Sequence, residues 1–193
     1  GCVEMIDRRL TGRHLHLYLN PERDMPEEAF RIHGLSSAFL ADKPRFGEVA
    51  DELLGFLDGA QLVIHNAAFD VGFVNAELRR LQRPLLAERV ASVLDTWQLA
   101  KEVFPGKSNS LDALCRRLEV DNSSRSLHGA LLDAQLLGIL AAEVGAVRFG
   151  GVEQLENNGG HAAKVAGAGG AFERPRDLLD GDVRLVALGI HDG

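Results

Sequence analysis

The run Gln61-Leu62-Val63-Ile64-His65 passes through Asn66-Ala67-Ala68 straight into a stretch of helical periodicity. Nothing else limits the possible folds of this chain as much. Its length and β-branching are those of a strand buried on both faces, and a buried strand feeding a helix is the repeating unit of layered α/β folds. The pattern recurs at Val93-Leu94-Asp95, a second short strand candidate with a helix after it that runs to Val103. Upstream, residues 2–8 and 14–19 read as two strands around Thr11-Gly12, a hairpin signal. In the second of them Leu15, Leu17 and Leu19 alternate with His14, His16 and Tyr18, so one face is apolar and the histidines take the solvent side. Pro26 ahead of Glu27-Glu28 begins a short helix that Gly34 ends. Val49, Leu53, Leu54 and Leu57 give residues 46–57 an apolar helical stripe, which Asp58-Gly59 breaks. Beyond the turn Phe104-Pro105-Gly106-Lys107, a helix capped by Asn109 or Ser110 carries Leu111, Leu114, Cys115 and Leu118. The expected fold class is α/β, with a sheet flanked by helices.

A chain of 193 residues holds one domain with a full core. The expected division is a domain over 1–149 and a tail over 150–193, because the composition shifts after Gly150. Residues 157–170 are rich in Gly and Ala without a period, which reads as a linker. Residues 184–190 suit a short strand or a helix equally. A net charge of −7 argues against a free-standing nucleic-acid gripper, but not against an enzyme that meets phosphates through metal ions. Cys2 and Cys115 fit no metal spacing, so a reduced, cytoplasmic protein is expected. No apolar run is long enough for a membrane span, and no membrane partner is expected. The chain opens at Gly1 rather than Met, which reads as a piece of a longer polypeptide.

Two carboxylates are carried into apolar surroundings. In Ser126-Leu127-His128-Gly129-Ala130-Leu131-Leu132-Asp133-Ala134-Gln135, five helical steps would leave His128 and Asp133 roughly 140° apart. If Gly129 ends a loop, His128 precedes the helix and Asp133 lies in its first turns. Asp133 then shares a stripe with Leu136, Leu137 and Leu140 on a helix from 130 to about 144 that is apolar nearly all round. A buried carboxylate is costly, and a bound cation makes it tolerable. Asp70 repeats the arrangement in the first turn after the buried strand, with Phe73 and Val74 at i+3 and i+4. Taken singly, Asp133 is equally an acidic residue near a helix N-terminus, and for Asp70 a first-turn acid favoured by the helix dipole is the better reading.

The two stretches together carry a resemblance. His-Asn-Ala-Ala-Phe-Asp at 65–70 and Leu-His-Gly-Ala-Leu-Leu-Asp-Ala-Gln at 127–135 resemble the DEDDh exonucleases, and within them the proofreading nucleases of bacterial replicative DNA polymerases. The likeness runs over roughly 1–146. It includes the opening Gly-Cys-Val-Glu-Met-Ile-Asp-Arg-Arg-Leu-Thr-Gly, Arg31-Ile32-His33-Gly34-Leu35, Phe104-Pro105-Gly106, and Asn109-Ser110-Leu111-Asp112-Ala113-Leu114.

That resemblance implies a ribonuclease H-like mixed sheet with Asp70 and Asp133 as metal ligands and His128 as general base. It also implies two divalent cations, Mg²⁺ or Mn²⁺, about 4 Å apart, and a DNA 3′ end as substrate. The implied protein partners are the polymerase catalytic subunit and the sliding clamp. His65 and Asn66 lie where they would help position substrate, or would serve the strand end structurally. The family's first motif, an Asp-x-Glu on the central strand, has no counterpart at this N-terminus, and Glu4 and Asp7 match positions outside the metal site. The central strand is thus expected to be missing, with its neighbours' edges unpaired, and the polypeptide is expected to extend upstream. Gly151-Val152-Glu153-Gln154-Leu155-Glu156 stands where a clamp-binding peptide would, without its hydrophobic ending.

The leading functional expectation is a 3′→5′ exonuclease that proofreads DNA synthesis by two-metal phosphodiester hydrolysis. The alternatives are a DEDDh exoribonuclease trimming RNA 3′ ends and an inactive fragment that only docks on the polymerase. Among lesser features, His33 reads as a partner of a helix C-terminal dipole. Arg79, Arg80, Arg83 and Arg89 read as a solvated face, and Asp95 as a strand-to-helix cap or a near-site carboxylate.

Overall fold

The computed structural model describes residues 1–7, 9–123, 129–141 and 184–189. Its elements are β1 (Cys2–Ile6), β2 (Arg9–Leu15), α1 (Glu27–His33), α2 (Ser37–Leu40), α3 (Phe46–Leu57), β3 (Gln61–Ile64), α4 (Ala67–Arg80), a 3₁₀ turn at Leu86–Glu88, β4 (Ser92–Asp95), α5 (Thr96–Val103) and α6 (Leu111–Arg117). A helix over 130–141, here α7, and β5 (Leu185–Leu188) complete them. The helix expected to reach about 144 is described only as far as 141. The strands form one mixed sheet in the order β2-β1-β5-β3-β4. β5 runs parallel to β3 and antiparallel to β1.

The centre of this sheet departs from expectation. The slot expected to be missing is filled by residues 185–188, so this stretch of the tail belongs to the sheet. Leu188 pairs with both Cys2 and Ile64, and Val186 with both Glu4 and Leu62. The physical reason is the slot itself. Two strands with open inner edges and apolar faces accept any strand that brings apolar side chains on both faces. Leu-Val-Ala-Leu does so, and all four residues are buried. Alternation along the sheet then sorts the core. Cys2, Leu62, Ile64, Val186 and Leu188 face α3 and α4, against Leu53, Leu57, Val74 and Leu78. Val3, Met5, Val63, Leu185 and Ala187 face α5, α6 and α7, against Ala100, Leu114, Leu137 and Leu140. The result is an α/β/α sandwich.

Arg184 locks the register of β5. Its Nε donates to Glu4 Oε1 at 2.5 Å and its Nη1 to Asp58 O at 3.1 Å, while Nη2 donates to Phe56 O. Glu4 is buried and also accepts from Arg13 at 2.9 Å and Thr11 at 3.0 Å. Burial alone would raise its carboxyl pKa, but the Arg184 and Thr11 hydrogen bonds and the charges of Arg13 and Arg184 outweigh that and hold it below its ordinary value.

The N-terminal hairpin turns earlier than its sequence suggests. Ile6 pairs with Arg9, so the chain reverses after Ile6, where Asp7 takes a φ of 51°. Thr11-Gly12 lies inside β2, where the register shifts against Val3 and Met5 and Gly12 has a φ of 86°. Its glycine serves a bulge, which needs the same left-handed backbone as a turn.

Candidate functional site

Parallel strands β3 and β5 end side by side, with β4 on the outer flank of β3, and the helices that follow β3 and β4 start at the same edge. Ligand sites of α/β sheets lie at such carboxyl ends. After Ile64 the chain reverses through Asn66, in the left-handed conformation at φ 66° and ψ 54°, and enters α4. That places Asp70 in the first turn of α4, where it is 6% exposed. On the opposite face α7 begins next to the same strand ends. A Cβ on Gly189 would sit 2.6 Å from the Ala130 carbonyl oxygen, so only glycine lets β5 pass so close to α7. Gly1 lies against the backbone of Ala130 and Leu131, and it exchanges hydrogen bonds of 2.8 and 2.9 Å with Gly189. Asp133, whose N–H donates to Gly129 O at 2.8 Å, is 9% exposed and lies on the buried stripe of Leu136, Leu137 and Leu140.

Asp70 and α7 share Gly1 as a neighbour. Burial lowers the pKa of the Gly1 amine, and the charges of Cys2 and Asp70 pull the other way. The two helices that carry the expected carboxylates therefore converge on one point of the sheet from its two faces. A cavity of about 570 Å³ opens beside that point, lined by Gly1, Gly189 and Ala130 and walled by His33, Tyr18 and Phe73. This volume suits a small-molecule or nucleotide-sized group. Asp70 and Asp133 do not line it themselves, but Phe73 and Val74 one turn after Asp70 do, as does Gly129.

Of the other expected site residues, His128 lies outside the described residues. His65 is half-buried at the end of β3, with Nδ1 3.0 Å from Thr96 Oγ1, and does not line the cavity. Asn66 is exposed, and its backbone rather than its side chain shapes the turn into α4. Asp95 proves to be the cap. It accepts from Trp97 N at 2.9 Å and Gln98 N at 3.3 Å, and it also reaches Asn66 N and Ala67 N, both at 3.1 Å. Sequence reasoning missed Thr96, which is buried and donates to Ile64 O at 3.4 Å. A threonine at a helix start carries no local signal of that bond.

His33, read as a partner of a helix C-terminus, lies in the last turn of α1; it is buried, its Nδ1 accepts from Leu35 N at 3.0 Å, and burial lowers its pKa. The arginines after Asp70 fit a solvated face, with Arg80 paired to Glu77, Arg83 to Asp51 and Arg89 to Asp58.

Two buried carboxylates offer hard oxygen donors suited to a divalent cation such as Mg²⁺ or Mn²⁺. They fall short of a two-ion set. Among the described residues, no group of three or more His, Cys, Asp or Glu is gathered closely enough to hold a metal ion.

Residues 1–140 match the exonuclease family RNase_T. The chain is 54% identical over 138 residues to DNA polymerase III subunit epsilon of Escherichia coli (strain K12), covering 71% of this chain and 57% of that protein. It is 51% identical over 137 residues to the subunit of the same name in Pasteurella multocida (strain Pm70), covering 71% of this chain and 54% of the relative. A third relative of that name, from Rickettsia conorii (strain ATCC VR-613 / Malish 7), is 51% identical over 145 residues, covering 75% and 63%. The chain thus spans little more than half the length of these relatives. Among solved structures it is similar to Exonuclease X in complex with 5′ overhanging duplex DNA, with a TM-score of 0.55 and 26% identity over 77% of this chain and 84% of that one.

Proposed function

Because the chain belongs to the RNase_T exonuclease family, we propose that it is a metal-dependent 3′→5′ exonuclease that proofreads DNA synthesis alongside a bacterial replicative polymerase. The observation that carries this reading is the burial of Asp70 and Asp133 on helices from opposite faces of the sheet that meet at one strand end. Neither carboxylate contributes to an apolar core, and both are of the chemistry that holds a hard cation. The names of the relatives support a polymerase partner, and the DNA bound to the structural neighbour supports a DNA substrate.

In this reading Asp70 and Asp133 would hold a divalent cation, which would supply Lewis-acid chemistry at the scissile phosphate. His128 would take the proton of the attacking water, as a group with an ordinary pKa of about 6.5 does near neutral pH. The cavity beside Gly1 and Gly189 receives the terminal nucleotide against Phe73, a residue that is 38% exposed. His65 and Asn66 then serve the strand end more than the substrate. Cys2 and Cys115 are both buried thiols, in keeping with a reducing, cytoplasmic location.

A second reading rests on one specific observation. Two carboxylates are fewer than a two-ion site needs, and a chain that only docks on the polymerase requires no more. Release of 3′ nucleotides from single-stranded DNA distinguishes the two. The nuclease reading expects slow release by the 193-residue chain that depends on Mg²⁺ or Mn²⁺ and vanishes in Asp70→Ala and Asp133→Ala while both variants stay folded. The melting temperature of the metal-free variants should hold or rise, because each change removes a buried charge. Absence of any metal-dependent release would favour the docking module.

A further inference from the structure

Asp95 does more than cap its own helix. Its Oδ1 accepts from Trp97 N and Gln98 N at the start of α5, at 2.9 and 3.3 Å. The same carboxylate crosses from β4 to the neighbouring strand end, where Oδ1 accepts from Asn66 N and Oδ2 from Ala67 N, both at 3.1 Å. One side chain therefore serves the N-terminal amides of two helices, α4 and α5, groups that a helix cannot satisfy by itself. Its negative charge stands at both positive helix ends.

The link falls where the chain most needs holding. Asn66 is left-handed, a conformation that few non-glycine residues adopt and that asparagine tolerates best when its surroundings hold it. Its side chain makes no capping bond of its own. Phe69 N donates to Asn66 O at 3.0 Å, so the first turn of α4, which ends at Asp70, is built directly on this residue. Thr96 adds a second tie from the same side, through Ile64 O at 3.4 Å and His65 Nδ1 at 3.0 Å. Residues 95 and 96 thus brace the whole passage from β3 to α4, from Ile64 to Ala67.

We infer that Asp95 is a positioning residue of the nuclease site: by bridging to Asn66 and Ala67 it sets the direction in which Asp70 is presented, without ligating the metal itself. This rests on the reading of Asp70 as a metal ligand. A shift of a first-turn ligand by a fraction of an ångström weakens binding, and loss of a partner that orients a ligand typically costs about 10- to 100-fold in metal affinity.

Serine separates the two jobs of Asp95. Asp95→Ser keeps a good cap for α5 but is too short to span to Asn66 and Ala67. Mn²⁺ titrated into the ¹⁵N-labelled 193-residue chain reports binding through paramagnetic broadening of the amides of 66–70 and 129–134. Wild type should broaden at these positions and Asp70→Asn should not. Asp95→Ser should need about tenfold more Mn²⁺ for half-effect, with a melting temperature within a few degrees of wild type. A purely structural cap would leave that midpoint unmoved when its helix is recapped. If Asp95→Ser titrates like wild type while Asp70→Asn is silent, Asp95 does not position the ligand. If Asp70→Asn broadens like wild type, the Asp70 reading fails and this inference falls with it. Should Asp95→Ser not fold, Asp95→Asn serves, since it keeps Oδ1 for Trp97 and Asn66 but turns an amide NH₂ toward the Ala67 N–H. An unchanged Mn²⁺ midpoint in that variant equally overturns the proposal.

Discussion

Glu4 and His128 make opposite demands on pH. Glu4 is buried under Arg184, Arg13 and Thr11, and its folded pKa lies below the ordinary carboxylate value of 4.5. A depressed folded pKa means stability that is fully present above the unfolded pKa and is lost as pH falls through the folded one. Glu4→Gln should therefore cost about 2 kcal/mol at pH 7, the worth of hydrogen bonds to a charged group. The difference from wild type should shrink as pH drops below about 4.5, which urea denaturation at pH 7 and pH 3.5 would measure. An undiminished difference at pH 3.5 would mean that Glu4 acts through packing. His128 is needed neutral in the proposed chemistry, so nucleotide release should rise with pH through its apparent pKa and then flatten. His128→Gln should lower the rate about 10²- to 10⁴-fold and remove that acid limb at saturating Mg²⁺, with single-strand binding retained. A loss below about tenfold with the acid limb intact would leave His128 a bystander.

The strand Leu185–Leu188 has no hydrogen-bonding edge to spare, because it is paired on both sides. Val186→Pro removes a ladder donor in a central strand and should lower the melting temperature clearly. It would also release the inner edges of β1 and β3, so the variant should aggregate on warming, visible by light scattering. If the variant melts like wild type, β5 is not integral to the sheet. Other elements were legible in the sequence because their cues are local. Residues 46–57, 61–64 and 111–117 appear where period and capping residues put them. The hairpin turn was misplaced because Gly12 at a bulge and glycine at a turn leave the same mark, while the true turn uses Asp7 in a left-handed conformation.

For the molecule as a whole, the proposed site offers Asp70 and Asp133 among the described residues. At saturating Mg²⁺ the 193-residue chain should therefore release 3′ nucleotides slowly, which end-labelled single-stranded DNA would measure. Fast turnover would show that these two carboxylates suffice.

What the sequence determined by itself was the longer helices, the buried strand at 61–64 and the burial of both carboxylates. Asp70 and Asp133 ride apolar helical stripes, and a 3.6-residue period carries that information within a dozen residues. Only the tertiary structure decided which strand fills the centre, where Arg184 finds Glu4 across 180 residues of chain, and that Asp95 holds Asn66 and Ala67 from 29 and 28 residues away. Such choices depend on which edges and amides are left unsatisfied once distant segments have packed, and no local pattern records that remainder.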